Sequence, residues 1–264
     1  MGVSCGPNIV EDGLVLSLDA SDKNSYPGSG TSWFDLSGYG NHCSLANSAT
    51  YSPAKGGGSI DLDGVDDLIS VPKTLNGFTY NIHYDLNWTI ELWMYTDPYD
   101  ASPQTYKFLY GSYNGCNWNL YKGNSQGIVI YSSTSASTIF LTLGYGPNVS
   151  GCPDVGATWT NEEVGSYLWG LQNRWAHLVM TSDDGTNIKL YIDGVQIGPT
   201  KTVNFKNGQN RIDNTLPATT NYSLGGLVIG YHQVDFSNFK IYNRVLSASE
   251  VLQNYNAQKS RFNI

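Results

Sequence analysis

The residues able to do chemistry are few, and their spacing narrows the chemistry open to them. The densest set is "DLDGVDD" (61–67), where Asp61, Asp63, Asp66 and Asp67 crowd one tight turn. Hard oxygen ligands gathered at a turn are what Ca2+ takes. Asp63 and Asp66 are the expected ligands. The run departs from the D-x-[DN]-x-[DN]-G calcium loop. The same aspartates serve equally as turn formers, because their side chains bond their own backbone. Both readings stay open on the sequence.

Catalytic groupings are harder to find. Glu91 in "TIELWMY" (89–95) stands alone, and Glu162 and Glu163 are adjacent in a loop, where they would point apart. His42, His83, His177 and His232 are far apart in sequence, with no H-E-x-x-H pair. No G-x-S-x-G, phosphate-binding loop or dinucleotide fingerprint is present, so the expectation is a protein without catalytic activity. Cys5, Cys43, Cys116 and Cys152 form no C-x-x-C, which argues against a zinc ribbon or redox motif. Buried thiols are the simpler expectation. Cys116 and Cys152, both in Gly/Asn-rich loops, could pair in an oxidising exterior.

Trp159, Tyr167 and Trp169 fall in "GPNVSGCPDVGATWTNEEVGSYLWGLQN" (146–173), a long stretch with little strand character. Connections beyond about 12–15 residues are uncommon unless functional or disordered. Such aromatics make disorder a poor explanation. They are the candidates for stacking on a sugar or meeting a protein partner, and a local core beneath the loop would use them equally well. A shorter excursion is "KTLNGFTYNIHYDLN" (73–87).

The elements that must position these residues read as β throughout. The 264 residues include 19 Tyr, 7 Trp and 8 Phe, which suit pleated, half-buried surfaces. Alternating runs recur at 13–20, 59–64, 67–72, 88–97, 105–113, 138–145, 174–183 and 187–198, with turn signals between them. Asp193-Gly194 and the "SDDGTN" run (182–187) predict tight hairpins, whose positive-φ positions favour Asp and Gly. Leu178, Met180, Leu190 and Ile192 are then expected on the inner face. Near the end, Ser247 and Glu250 stand in capping-box relation and open a helix. Its expected apolar face is Ala248, Val251, Leu252 and Tyr255, with Asn and Gln opposite.

Only 14% of residues are charged and the net charge is −8. With no basic stripe to neutralise phosphates, nucleic acid is an unfavoured partner, as is an anionic membrane. No run approaches a membrane span, and the N-terminus lacks the pattern of a secretory signal. The expectation is a soluble chain made in the cytosol.

Five segments carry a resemblance. They are "GLVLSLDASDKNSYPGSGTSWFDLSGYGNH" (13–42), "GGSIDLDGVDDLISVP" (57–72), "TIELWMY" (89–95), "RWAHLVMTSDDGTNIKLYIDG" (174–194) and "FKIYNRVLSASEVLQNYNA" (239–257). In this order they resemble the concanavalin A-like lectin/glucanase superfamily in its laminin-G-like branch, over residues 8 to 262. The resemblance implies a single domain over 1–264: an all-β, antiparallel jelly-roll sandwich (13–246), an N-terminal arm (1–12) and one short helix (247–262) covering a sheet edge. It implies that Trp33, Trp88, Trp93 and Trp175 are core and that His177 is structural. The E-x-D-x-x-E triplet of the superfamily's glucanases is absent.

A start like "GPNIVEDGLVLSLDA" looks like domains carried by virion proteins of tailed bacteriophages. The resemblance therefore implies a structural virion protein, on the capsid or tail, made in the host cytoplasm and displayed on the particle exterior. Its partners would be other virion proteins and host-surface glycans. The alternative is a stand-alone carbohydrate-binding lectin domain of a bacterial surface or secreted protein.

Overall fold

The alternating runs become two antiparallel sheets in the computed structural model of the chain. The structure describes residues 8–72, 75–78, 87–97, 105–112, 126–133, 138–145, 155–159, 163, 169–202, 222–224 and 233–264. Strands in chain order begin with β1 (Leu14–Asp19), β2 (Ser32–Trp33), β3 (Cys43–Ala46), β4 (Thr50–Ser52), β5 (Ser59–Leu62) and β6 (Leu68–Val71). Then follow β7 (Trp88–Thr96), β8 (Thr105–Ser112), β9 (Gln126–Ser133), β10 (Thr138–Tyr145), β11 (Val155–Trp159) and β12 (Trp175–Asp183). The last are β13 (Asn187–Ile192), β14 (Val195–Gln196), β15 (Lys201–Thr202), β16 (Tyr222–Leu224) and β17 (Val234–Tyr242).

One sheet runs β14-β13-β12-β7-β17-β5-β4, with β1 also on β17 and β15 on β13. The other runs β11-β10-β9-β8-β16-β6-β3-β2. β17 holds the first sheet together. One flank pairs with β7 along its length, and β5 and β1 share the other end to end. Phe236, Phe239 and Ile241 of β17 all reach the inter-sheet core, across a register shift between Phe236 and Asn238. Such a bulge re-aims side chains along a strand.

The core between the sheets joins Leu16, Leu92, Met94, Leu178 and Phe239 of one layer to Trp33, Leu45, Ile69 and Val71 of the other. Leu178, Met180, Leu190 and Ile192 lie in it, as their alternation requires. Trp33 and Trp88 join this core. Trp93 and Trp175 are buried too, but on the outer face of the sheet, against Phe262. Asp184 and Gly185, and Asp193 and Gly194, have positive φ at the two hairpin turns. The architecture is an all-β antiparallel jelly roll with one short C-terminal helix.

Two expectations need correction. The stretch 146–173 contains a strand, since β11 pairs with β10 from Leu141↔Trp159 to Tyr145↔Val155. Gly156 and Ala157 are weak strand formers, so pairing with a neighbour decides the conformation there rather than local preference. The helix (Ala248–Gln258) has the expected capping box, with Glu250 N donating to Ser247 Oγ and Ser247 N to Glu250 Oε2. Its buried residues, however, are Val251 and Asn254, and Leu252 is 44% exposed. The polar Asn254 is buried because the sheet beneath it presents polar groups.

Candidate functional site

Three places concentrate polar or exposed chemistry. The first is the turn 63–67, which crosses from β5 in one sheet to β6 in the other. Gly64 has φ 74° there. Asp63 Oδ1 accepts from Val65 N at 2.8 Å and Asp66 N at 3.4 Å, and Asp67 Oδ2 accepts from Asp63 N at 3.1 Å. Asn47, in the parallel crossing between β3 and β4, donates from Nδ2 to Asp66 O at 2.8 Å. One carboxylate oxygen from each of Asp63, Asp66 and Asp67 lies within 4.8 Å of the other two. Asp63 and Asp66 are exposed, whereas Asp67 is buried. The amide of Val65 draws the Asp63 carboxyl below its usual range, and burial pushes that of Asp67 up. Asp61 does not join the group; its Oδ1 accepts from Ser59 Oγ at 2.9 Å.

The second place is a polar band between β7, β12, β17 and the helix. Glu91, His177, Lys240, Asn238 and Asn254 are all buried in it. Lys240 Nζ donates to Glu91 Oε1, Asn238 Oδ1 and Gln258 Oε1, each at 3.1 Å. Asn254 Nδ2 donates to Glu91 Oε2 at 2.6 Å and to the Tyr242 hydroxyl at 3.0 Å, while its Oδ1 accepts from Val10 N at 2.7 Å. His177 Nε2 stands 3.3 Å from Glu91 Oε1 without hydrogen-bond alignment. Burial raises the Glu91 carboxyl, but Lys240, His177 and Asn254 outweigh it and hold it at about 2. The group reads like acid–base machinery on paper, yet Glu91 and His177 have no exposed surface. Its work is to dock the helix, and with it the N-terminal segment, on the sheet.

The third place is the loop after β2. Asp35 anchors it: Oδ1 accepts from Ser17 N at 2.8 Å and Ser37 N at 2.9 Å, and Oδ2 from Ser37 Oγ at 2.7 Å and Asn41 N at 2.9 Å. Asn41 Nδ2 donates to Val15 O and Asn76 O, and its Oδ1 accepts from Asn76 N. His42 Nδ1 accepts from Asp35 N at 3.0 Å, which leaves the ring edge-on to Phe34 at 5.4 Å. On this fastened loop Phe34, Leu36 and Tyr39 are 39%, 40% and 46% exposed. Large apolar side chains so displayed within six residues mark a contact surface more often than a random one. The sequence reading passed over them. "WFDLSGYGNH" stood only as part of a segment that carries the resemblance, and the exposure of three side chains is what separates its surface from its anchor.

Of the other residues singled out, Trp159 is fully buried in the inter-sheet core, and its indole N–H donates to Pro199 O at 2.9 Å. Its ring is spent on packing, which corrects its candidacy as a stacking surface. Trp169 opens the short 3-10 turn Trp169–Leu171. Tyr167, Glu162, His83, His232, Cys5, Cys116 and Cys152 lie outside the described residues. Cys43 is buried, and burial pushes its thiol up, as an inert core sulfur requires. Glu163 pairs with Lys201. No helix among the described residues is long and apolar enough to cross a membrane.

Comparisons place this geometry. Among solved structures, the binding domain of botulinum neurotoxin serotype D is similar, with TM-score 0.62 and 16% identity over 94% of this chain and 53% of that one. The binding domain of botulinum neurotoxin DC in complex with SialylT gives TM-score 0.62 and 17% identity over 94% and 52%. Trypanosoma rangeli sialidase in complex with the inhibitor DANA gives 0.59 and 18% over 99% and 35%. The chain thus spans about half the length of the toxin binding domains, or less of the sialidase, and at these identities the likeness is one of fold. A search of curated proteins found no match. The sequence model of a laminin G family, described as concanavalin A-like lectin/glucanases superfamily, matches residues 63–252. That match covers well over half of the chain, which therefore belongs to the laminin G branch of the concanavalin A-like superfamily.

Proposed function

We propose that the chain is a non-catalytic binding module that serves as a structural protein of a tailed-bacteriophage virion, on the capsid or the tail. In this reading it makes protein–protein contacts on the particle and adheres to host-surface glycans. The observation that carries it is the loop 34–42. There a web of hydrogen bonds fixes the backbone while Phe34, Leu36 and Tyr39 each keep part of an apolar side chain exposed. Pre-ordered apolar side chains lower the ordering cost of association. Tyr167 and Trp169 join them as proposed contact residues. The buried state of Glu91 supports the absence of chemistry, because a general acid must reach its substrate. The phage setting rests on the resemblance of the chain's first residues to virion domains.

Purified particles test it. The chain is expected in them at fixed stoichiometry by mass spectrometry, and Phe34→Ser with Tyr39→Ser should prevent its incorporation while leaving its melting temperature unchanged. Absence from particles, together with tight binding of one free glycan, would replace this reading with the stand-alone bacterial lectin. The second reading has its own support. The fold matches the binding domain of botulinum neurotoxin DC, solved both in complex with SialylT and in complex with rat synaptotagmin II.

A further inference from the structure

One side chain of the loop 34–42 makes a hydrogen bond that depends on its protonation state. His42 is exposed, and its Nδ1 accepts from Asp35 N at 3.0 Å. A backbone N–H can only donate, so this bond requires that Nδ1 carry no proton and that the ring's proton sit on Nε2. The same peptide unit is held at its other end, where Phe34 O accepts from Ser25 Oγ at 2.6 Å. His42 and Ser25 thus clamp the peptide plane that aims Phe34. The His42 ring also packs edge-on against the Phe34 ring, with 5.4 Å between centroids. A second proton on the imidazole would set N–H against N–H and open one side of the clamp.

We propose, on the reading of this loop as a contact surface, that His42 switches it with pH. The neutral imidazole holds Phe34 in place for a partner, and the imidazolium releases it. Asp35 does not offset the loss by pairing with the charged ring. Its carboxylate already accepts from Ser17 N, Ser37 N, Ser37 Oγ and Asn41 N, and turning towards His42 would undo those bonds. On the elements tied to the loop, Asp19 of β1 pairs with Arg261, and Asp22 accepts from Asn24 N beside Ser25. Lys23 is exposed, and burial pushes the Cys43 thiol up, so that it stays uncharged. The bond to Asp35 N is therefore lost as pH falls through the imidazole range, about pH 6.5 for an unperturbed ring. The contact is strong at neutral pH and weak in mild acid. The device is local: it loosens one loop and leaves the sheets to their own pH dependence.

Nitrogen NMR of the full chain tests the switch without any partner. At neutral pH the His42 ring is expected to carry its proton on Nε2 and none on Nδ1. The Asp35 amide resonance should then move with a midpoint in the imidazole range. His42→Asn, which leaves an acceptor oxygen near the position of Nδ1, should keep the neutral spectrum and abolish that movement. Association with purified particles reads the consequence. Wild type should bind about fivefold or more weakly at about pH 5.5 than at about pH 7.5, the worth of one lost hydrogen bond, and His42→Asn equally at both. A proton on Nδ1 at neutral pH, or an Asp35 amide that titrates alike in His42→Asn, would overturn the switch. So would equal association of wild type at the two pH values. No association at either pH, with the amide titration intact, would instead strike the contact reading on which the switch rests.

Discussion

Lys240 Nζ and Glu91 Oε1 meet at 3.1 Å where neither side chain is more than 2% exposed. The pair stands between the sheet and a helix, two layers that elsewhere meet through Val251, Val179, Tyr191 and Tyr242. Removing one partner strands the other charge in a dry site, at a cost of about 3–5 kcal/mol. Lys240→Met and Glu91→Gln should each lower stability in urea unfolding by that order. The double variant should be less destabilised than the two singles combined. Additivity would mean that the charges do not sense one another.

Asn254 concentrates three obligations in one amide, joining Val10, Glu91 and Tyr242. Asn254→Ala leaves a buried carboxylate oxygen and a backbone N–H without their bonds, so at least about 2 kcal/mol should be lost. The segment around Val10 should also become open to protease before the sheets unfold. Simultaneous loss of both would show that the arm and the sandwich are one cooperative unit.

Much of this fold was legible in the chain. Hairpins, the core face of β12 and β13, and the helix cap each follow from local chemistry: Asp-Gly at positive φ, period-2 alternation, a Ser and Glu three apart. The helix's buried face was not. Asn254 has the type of a solvent residue, and its burial depends on Glu91 and Lys240, which arrive from strands 163 and 14 positions away. Glu91 likewise stood alone in its run, and only the sheet register places Lys240 beside it. Trp159 misled for the matching reason, since a tryptophan near a loop gives no sign of which face of an unforeseen strand it occupies. Side chains that answer to partners far along the chain are the ones a linear reading misplaces.

Asp235 gives a pH dependence of the opposite sense to that of Glu91. Burial and the neighbouring Asp61 raise its carboxyl to about 7 against the pull of Lys55. A carboxyl raised in the folded state contributes stability fully below its unfolded value of 3.8 and loses it as pH rises through about 7. Glu91, lowered from 4.5 to about 2, contributes above 4.5 and loses that contribution as pH falls towards 2. Wild type should therefore unfold more easily above neutrality than in mild acid, and again in strong acid. Asp235→Asn should flatten the upper slope and leave the lower one. A melting temperature constant from mild acid through neutrality in wild type would refute the assignment.

Gly56 fastens the end of the chain to its beginning. Its carbonyl accepts from Arg261 Nε at 2.7 Å, and Arg261 Nη1 reaches Asp19 of the first strand at 2.8 Å. The residue sits at φ 60°, and a Cβ there would stand 2.4 Å from the Trp175 ring. Trp175 cannot retreat freely, because Phe262 packs on its other contacts at 5.0 Å between ring centroids and Tyr95 lies edge-on at 5.8 Å. Gly56→Ala thus adds left-handed strain to overpacking, a combined cost of about 2–4 kcal/mol. The near-ultraviolet circular dichroism of the Trp93, Trp175 and Phe262 stack should change, while the far-ultraviolet signal of the sheets persists. Gly30, also at positive φ but with open space around its would-be Cβ, is the control. Gly30→Ala should show the strain alone, so equal losses at the two sites would deny that Trp175 is held in place.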